Sequence, residues 1–216
     1  MSDAPPPEGL DLPPGFLAAI GMTPERERDL ELFRARLTAA NERMNLVGDS
    51  TLGVFWRRHF IDSAQLLWFA PEARVWADLG SGAGLPGIVL AILLKGRTGA
   101  QIHLVESMVK RCRFLMEVVE ELGLPAIVHN ARAESLKLEV DMVTARACAP
   151  LDRLLGYAEP YFARGARGLF LKGGEVAAEI AAARQTWRFD ADTQVSLSDP
   201  RGRILSIGAI ERVRRR

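Results

Sequence analysis

Two periods of apolar residues divide this chain, and the change between them falls near residue 73. Before it, the spacing is helical. Thr23 followed by Pro24 marks a helix start, because a threonine oxygen caps free N–H groups and proline at the first position loses no needed donor. Leu30, Phe33, Leu37 and Ala40 then fall on one helical face. A second helical stretch runs from Leu52 to Phe69, with Phe55, His59, Ile61, Leu66 and Leu67 among its less polar positions. From Ala73 onward, short apolar runs alternate with helical ones. Strands are expected at Arg74–Leu79, Gln101–Val105, Ala126–His129, Asp141–Ala145 and Gly168–Lys172. Helices are expected at Pro86–Leu94, Met108–Leu122, Leu151–Phe162 and Glu175–Trp187. Such alternation implies parallel pairing through right-handed crossovers. The end differs: Thr193–Leu197 and Arg203–Ile207 flank the turn Asp199-Pro-Arg-Gly202, which predicts an antiparallel hairpin.

Bulk properties narrow this picture. The chain has 216 residues, 48% of them apolar, which suits one α/β domain with a modest extension. Residues 1–14, acidic and proline-rich, read as a flexible tail, residues 15–72 as a helical extension and residues 73–216 as the main domain. The tail lacks the positive start and apolar stretch of a secretory signal, and no run approaches the ~18 apolar residues of a membrane span. The two cysteines, Cys112 and Cys148, form no C-x-x-C pair, which suits a reducing cytoplasm. His103 and His129 have no ligand-like spacing with His59, so no metal site is expected. Net charge is +1, so any affinity for nucleic acid must come from local clusters.

The central motif is the loop after the first expected strand, Asp78-Leu-Gly80-Ser-Gly82-Ala-Gly84-Leu85-Pro-Gly87. Glycines let a backbone turn sharply and approach a ligand, and Pro86 with Gly87 would open a helix whose free N–H groups face the loop. Gly82, Gly84 and Gly87 satisfy the dinucleotide fingerprint G-x-G-x-x-G. The leading Asp78 argues instead for a sulfonium amino acid, because a pyrophosphate has little use for an acid at the loop's mouth. The pattern D-x-G-x-G-x-G resembles the S-adenosyl-L-methionine loop, and a tight turn without a ligand stays open. Glu106, ending the second strand, can accept hydrogen bonds from two ribose hydroxyls of adenosine in either cofactor, or it can cap the following helix. After the third strand, Ala133 and Glu134 fall where adenine is often contacted in methyltransferases, with Glu134 the candidate acceptor and a plain surface loop the alternative. Arg146, ending the fourth strand, can hold a methionine carboxylate, guanine O6 or a phosphate, or form a structural ion pair. Asp141 reads as a strand-edge acid.

Five parallel strands and a terminal hairpin resemble the Rossmann-like sheet of class I S-adenosylmethionine methyltransferases. Beyond that, Asn41-Glu-Arg-Met-Asn45-Leu46, Arg58-His59-Phe-Ile-Asp62-Ser63, the Gly80–Gly87 loop, Lys110-Arg111, Arg132-Ala-Glu134, Thr144-Ala-Arg146-Ala and Leu171-Lys172-Gly173 occur in order. Together they resemble the bacterial 16S ribosomal RNA (guanine-N7) methyltransferase G family over about residues 24 to 210. Val47 departs from the family's usual threonine, and Cys148 from its usual aromatic or valine. The resemblance implies S-adenosylmethionine-dependent methylation of guanine N7 in 16S ribosomal RNA of the small subunit, in the cytoplasm, by a monomer that needs no membrane. It places cofactor contacts at Gly80, Leu85, Ala133, Glu134 and Arg146, beside Asp78, Gly82, Gly84 and Glu106.

Guanine N7 carries a lone pair and no proton, so a direct displacement needs no general base and gains its rate from alignment. Arg146, Lys172, His59 and Asp62 are the expected substrate-positioning residues, with His59 equally readable as a bonded core histidine. Asn45, Arg58, Lys110, Arg111 and Lys172 are the expected RNA contacts, and Arg57, Arg113 and the tail from Arg212 supply further positive charge. Competing readings are a small-molecule or protein methyltransferase, a nicotinamide-dependent oxidoreductase, and a non-enzymatic RNA-binding factor.

Overall fold

A computed structural model describes residues 12–213. Most of the expected tail, residues 1–11, and the terminal arginines 214–216 lie outside the described residues. The helical part comprises α1 (Phe16–Ala19), α2 (Pro24–Met44), α3 (Asp49–Leu52), a π-helical turn over Trp56–Ile61 and α4 (Asp62–Phe69). Then follow β1 (Val75–Leu79), α5 (Gly87–Leu94), β2 (Gln101–Glu106), α6 (Val109–Leu122), β3 (Ala126–Asn130), a 3-10 turn at Ala133–Ser135 and β4 (Met142–Arg146). The chain ends with α7 (Leu151–Phe162), β5 (Arg167–Lys172), α8 (Val176–Ala183), β6 (Trp187–Val195) and β7 (Arg203–Arg212).

The seven strands order as β3-β2-β1-β4-β5-β7-β6, parallel except for β7, which runs antiparallel to β5 and β6. The order reverses between β1 and β4, and ligands of open α/β sheets bind outside the carboxyl ends of strands at such a point. β1 and β4 are buried along almost their whole length, as central parallel strands covered on both faces must be. The Asp141 carboxylate, just before β4, accepts the backbone N–H groups of Arg74 and Val75 at 2.8 and 2.9 Å and ties the two strands together.

Helix α5, Gly-Ile-Val-Leu-Ala-Ile-Leu-Leu, is apolar all round, and every residue is buried. A helix of that composition needs cover on all sides. The sheet covers one side, and α2 and α4 pack on the other. Helix α2 starts as expected, with Thr23 Oγ1 accepting from Arg26 N at 3.3 Å, and it buries Leu30, Phe33, Leu37 and Ala40. The core therefore continues from the sheet through α5 into the helical extension.

Three expectations change. The single helix over 52–69 is instead α3, a turn at Gly53, a π-helical turn and α4. The wider π turn brings the consecutive residues His59, Phe60 and Ile61 inward together, which a 3.6-residue period does not allow. The helix expected to reach Trp187 stops at Ala183. Gln185 and Thr186 turn the chain by donating to Ala182 O and Ala183 O, and Trp187 opens β6 with its indole N–H on Asp152 O at 3.1 Å. The hairpin strands also extend beyond the expected segments, to Trp187–Val195 and Arg203–Arg212, because a shift between Phe189 and Ala191 lets pairing continue past an irregularity.

Candidate active site at the carboxyl ends of the parallel strands

The glycine loop leaves β1 and is sewn to β2. Gly80 N and Ser81 N both donate to Val105 O, at 2.8 and 3.0 Å. Gly84 has φ +83°, and a Cβ there would stand 2.5 Å from Ile88 Cγ1, so no other residue fits without displacing α5. Gly80 has φ +69°, and its missing Cβ leaves room for Cys148 Sγ, which would lie 2.7 Å away. Cys148 is thus a packed neighbour of the loop, and burial pushes its thiol pKa up. A raised thiol pKa opposes a nucleophilic role.

Asp78 lies beneath the loop rather than at its mouth, with 0% of its surface exposed. Its Oδ2 accepts Gly87 N at 3.0 Å and so fixes the first turn of α5, while Oδ1 is buried and has no partner among the described residues. Burial raises its pKa to about 7, and the nearby charge of Glu106 pushes the same way. Glu106, 5% exposed, accepts Gly82 N at 3.0 Å on Oε2 and Met108 N at 2.8 Å on Oε1. Arg111 Nη1 stands 3.8 Å from the same Oε2. Each carboxylate oxygen thus keeps acceptor capacity for a hydroxyl. The 3-10 turn is braced from below by Tyr161 Oη, which donates to Ala133 O at 3.1 Å, and Glu134 on that turn is exposed.

Arg146 ends β4 against the helical extension. Its Nη1 donates to Arg58 O at 3.0 Å, His59 Nδ1 at 3.1 Å and Asp62 Oδ2 at 3.3 Å. A guanidinium only donates, so His59 Nδ1 is the acceptor and the ring proton sits on Nε2. Nε2 then donates to Thr51 Oγ1 at 2.9 Å, and Thr51 Oγ1 donates to Gly48 O at 2.6 Å. Burial, with the charges of Arg146 and Arg58, holds the His59 pKa down at about 3, which fixes the neutral ring. Asp62 Oδ1 accepts Ser198 Oγ at 2.7 Å from the β6–β7 connection. Among the described residues, Arg146 Nε and Nη2 have no protein acceptor, which leaves three N–H donors open.

These groups line a cleft of about 1190 Å³ bounded by Leu46–Gly48, the end of β4, the start of the β5–α8 connection and the β6–β7 turn. Lys172 lines it too, but its side chain is only 8% exposed. Its Nζ donates to Glu179 Oε2 at 2.7 Å and Ala149 O at 3.0 Å, and the same Oε2 accepts Leu151 N at 2.8 Å. Lys172 therefore ties α8 to the start of α7, and a free cation for RNA is not what this geometry offers. Arg58 reaches the cleft rim, half-exposed, with Nη1 2.9 Å from Asp199 Oδ2. Lys110 and Arg111 stand across the loop at the start of α6, Lys110 exposed. Asn45 is exposed as the left-handed C-cap of α2, and Arg212 is held by Glu159 at 2.8 Å while stacking over Trp187.

Several residues of the site were given no role from sequence. Asn41 is buried, with Nδ2 donating to Asp49 Oδ1 at 2.7 Å and Oδ1 accepting Val47 N at 2.8 Å, which shapes the loop over the cleft. A polar residue following Leu30, Phe33 and Leu37 on the apolar face was the available signal. Thr51, Ser198, Glu179, Arg201 and Arg203 carried no such signal, since they meet the site only through the tertiary fold. His103 and His129, far apart in sequence, stand in contact at 2.9 Å on β2 and β3.

The glycine loop and Glu106 fit S-adenosylmethionine: both Glu106 carboxylate oxygens keep acceptor capacity that a ribose diol would use, and the buried Asp78 holds the loop in place through Gly87 N. The fold matches the solved structure of a putative O-methyltransferase from Klebsiella pneumoniae with a TM-score of 0.54 at 16% identity, over 89% of this chain and 93% of that one. Sheet order and site together define a class I S-adenosylmethionine-dependent methyltransferase. The family model described as rRNA small subunit methyltransferase G matches residues 26–203. The chain is 58% identical over 208 residues to the ribosomal RNA small subunit methyltransferase G of Caulobacter vibrioides (strain NA1000 / CB15N), covering 96% of each. It is 59% identical over 202 residues to the protein of the same name from Caulobacter sp. (strain K31), covering 94% of this chain and 91% of that one. The chain belongs to the rRNA small subunit methyltransferase G family.

Proposed function

We propose that this enzyme methylates N7 of one guanine in 16S ribosomal RNA of the small subunit, by positioning and without a general base. The observation that carries the proposal is the state of the groups around Arg146. His59 has both ring nitrogens engaged, Asp62 is paired, and Lys172 is bound to Glu179, while Arg146 keeps three donors open. Such a site does not poise His59 to take a proton, yet through Arg146 it can hold an oxygen-bearing group. Guanine fits this chemistry, because O6 accepts hydrogen bonds beside an N7 that has no proton to lose.

When bound, S-adenosylmethionine supplies an electrophilic methyl group on sulfur. The residues of this chain do the rest by placement. Glu106 accepts the ribose hydroxyls, the Gly80–Leu85 backbone cradles the cofactor, and Ala133 and Glu134 border the adenine. Asp78 holds the loop from beneath through Gly87 N. Arg146 presents its fork to guanine O6 or to a carboxylate, and His59 and Asp62 set that fork. Lys172 shapes the opposite wall. Residues 15–72 act as the extension that closes the cleft, and the enzyme works as a cytoplasmic monomer. Among the described residues no helix is long and apolar enough to cross a membrane.

Mapping methylated bases in small-subunit RNA from a strain lacking this enzyme tests the proposal. One guanine-N7 modification is expected to vanish. An unchanged guanine-N7 pattern defeats the substrate assignment.

A further inference from the structure

The cleft has one wall whose charge the site does not use. It is built where the π-helical turn meets the β6–β7 connection. Arg57 Nε donates to Ser198 O at 2.9 Å, and Arg58 Nη1 reaches Asp199 Oδ2 at 2.9 Å. Asp199 Oδ1 accepts Arg201 N at 2.9 Å, and Arg201 Nε stands 3.6 Å from the same oxygen. Arg203 Nη1 folds back onto Pro200 O and Gly202 O, at 2.7 and 2.8 Å. Four guanidinium groups from two distant segments therefore gather at this connection, and two of them, those of Arg58 and Arg201, stand on its single carboxylate, Asp199. With one negative charge against four positive ones, the wall carries a net +3. The Arg201 side chain is 88% exposed and that of Arg58 is 46% exposed, so this charge faces solvent.

The excess is local, since the whole chain carries only +1. Elsewhere in the cleft the cations are matched: Arg146 with Asp62, Lys172 with Glu179. Glu175, on the α8 side, is the remaining acid of the lining. Exposed guanidinium groups on one rim, beside a deep site, suit a polyanion whose backbone runs past while one unit enters.

We infer that Arg57, Arg58, Arg201 and Arg203 form the phosphate-contact wall for RNA, with Asp199 setting both its shape and its charge. This rests on the RNA reading of the site and adds where the backbone is gripped. It moves the main contact away from Lys172, and it makes the turn Asp199-Pro-Arg-Gly202 a functional element.

Binding of in vitro transcribed 16S ribosomal RNA, followed by fluorescence anisotropy across a salt series, tests it. Arg201→Ala is expected to weaken binding and to lower the slope of log affinity against log salt by roughly 0.7–0.9, the value for one phosphate contact. Arg201→Glu is expected to weaken binding further. Asp199→Asn keeps an oxygen for Arg201 N while removing the charge, and it is expected to bind roughly twofold tighter at low salt. Affinity for S-adenosylhomocysteine should stay at the wild-type value in all three, which shows that they are folded. Wild-type affinity and slope in these variants overturn the wall. Unchanged binding of naked RNA, with methylation lost only on intact small subunits, also overturns it, because the wall then meets a ribosomal protein. Absence of salt-dependent RNA binding in the wild type defeats the RNA reading itself.

Discussion

Replacing Arg146 by alanine removes the three open donors at the cleft and cuts the tie between β4 and the extension. The two losses differ in size and in readout. If the fork makes two charge-assisted hydrogen bonds to its ligand, at about 1.5–3 kcal/mol each, the loss is at least ~3 kcal/mol. That corresponds to roughly a hundredfold fall in methylation rate. On the folding side, His59 Nδ1 and Asp62 Oδ2 lose a partner. Arg146 and Asp62 keep about a fifth of their side-chain surface exposed, 19% and 20%, so water replaces part of what is lost. The expected cost is about 1–3 kcal/mol of stability. Initial rates on unmethylated RNA, over ranges of RNA and cofactor, separate KM from kcat, and urea unfolding gives the stability. Arg146→Lys is the companion variant: it keeps a positive charge opposite Asp62 but lacks the planar fork. It should regain most of the stability and little of the activity. Activity of Arg146→Ala within about threefold of wild type refutes the assignment, since a shift of that size is less than 1 kcal/mol.

Four further outcomes, at three residues, follow from the same geometry. His59→Leu removes the acceptor that aims Arg146 and should lower activity sharply, whereas His59→Asn keeps an oxygen near the Nδ1 position and should restore much of it; equal activities of the two variants contradict the orienting role. Because the folded-state pKa of His59 lies near 3, below the free value of 6.5, its contribution to stability is full above pH 6.5 and lost as pH falls toward 3. Urea unfolding of His59→Asn should show a weaker decline across that window than wild type. Asp78 has the opposite sign: its pKa rises from 3.8 to about 7, so the native state holds the proton longer and stability falls as pH climbs through that window. Asp78→Asn should flatten this decline, and a variant with the wild-type pH dependence shows that the acid is not buried as described. Cys148→Ala should retain methylation measured under the same conditions, because the thiol packs against Gly80 and attacks nothing; complete loss in a folded, cofactor-binding variant argues for a direct role.

Much of the sheet was legible because its determinants are local. Alternating apolar runs marked the parallel strands, and the loop's glycines and the Thr23-Pro24 start carried their own backbone reasons. The π-helical turn was not legible, because placing His59, Phe60 and Ile61 inward together depends on packing against Phe55 and the sheet. Helix α8 looked longer than it is because alanine favours helix wherever it stands, and only the burial of Trp187 against α7 decides that β6 begins there. Asp78 was read correctly as a member of the loop motif but misplaced at its surface, since sequence does not tell which face of a strand end is covered. Lys172 was singled out for its place at the end of β5. Its engagement with Glu179 depends on α8 folding back, which no spacing announces. Charge clustering between Arg57–Arg58 and Arg201–Arg203 joins segments more than a hundred residues apart and emerges only in the fold.

The central claim is methyl transfer to guanine N7 by a site that positions and does not deprotonate. Its most direct test is nucleoside mass spectrometry of small-subunit RNA from a strain lacking this enzyme, after incubation with the purified protein and isotopically labelled S-adenosylmethionine. Positioned attack by guanine N7 puts the label in 7-methylguanosine, at one methyl per RNA. Label in an exocyclic amine, a carbon or a ribose hydroxyl, or no label under conditions where the cofactor binds, contradicts it.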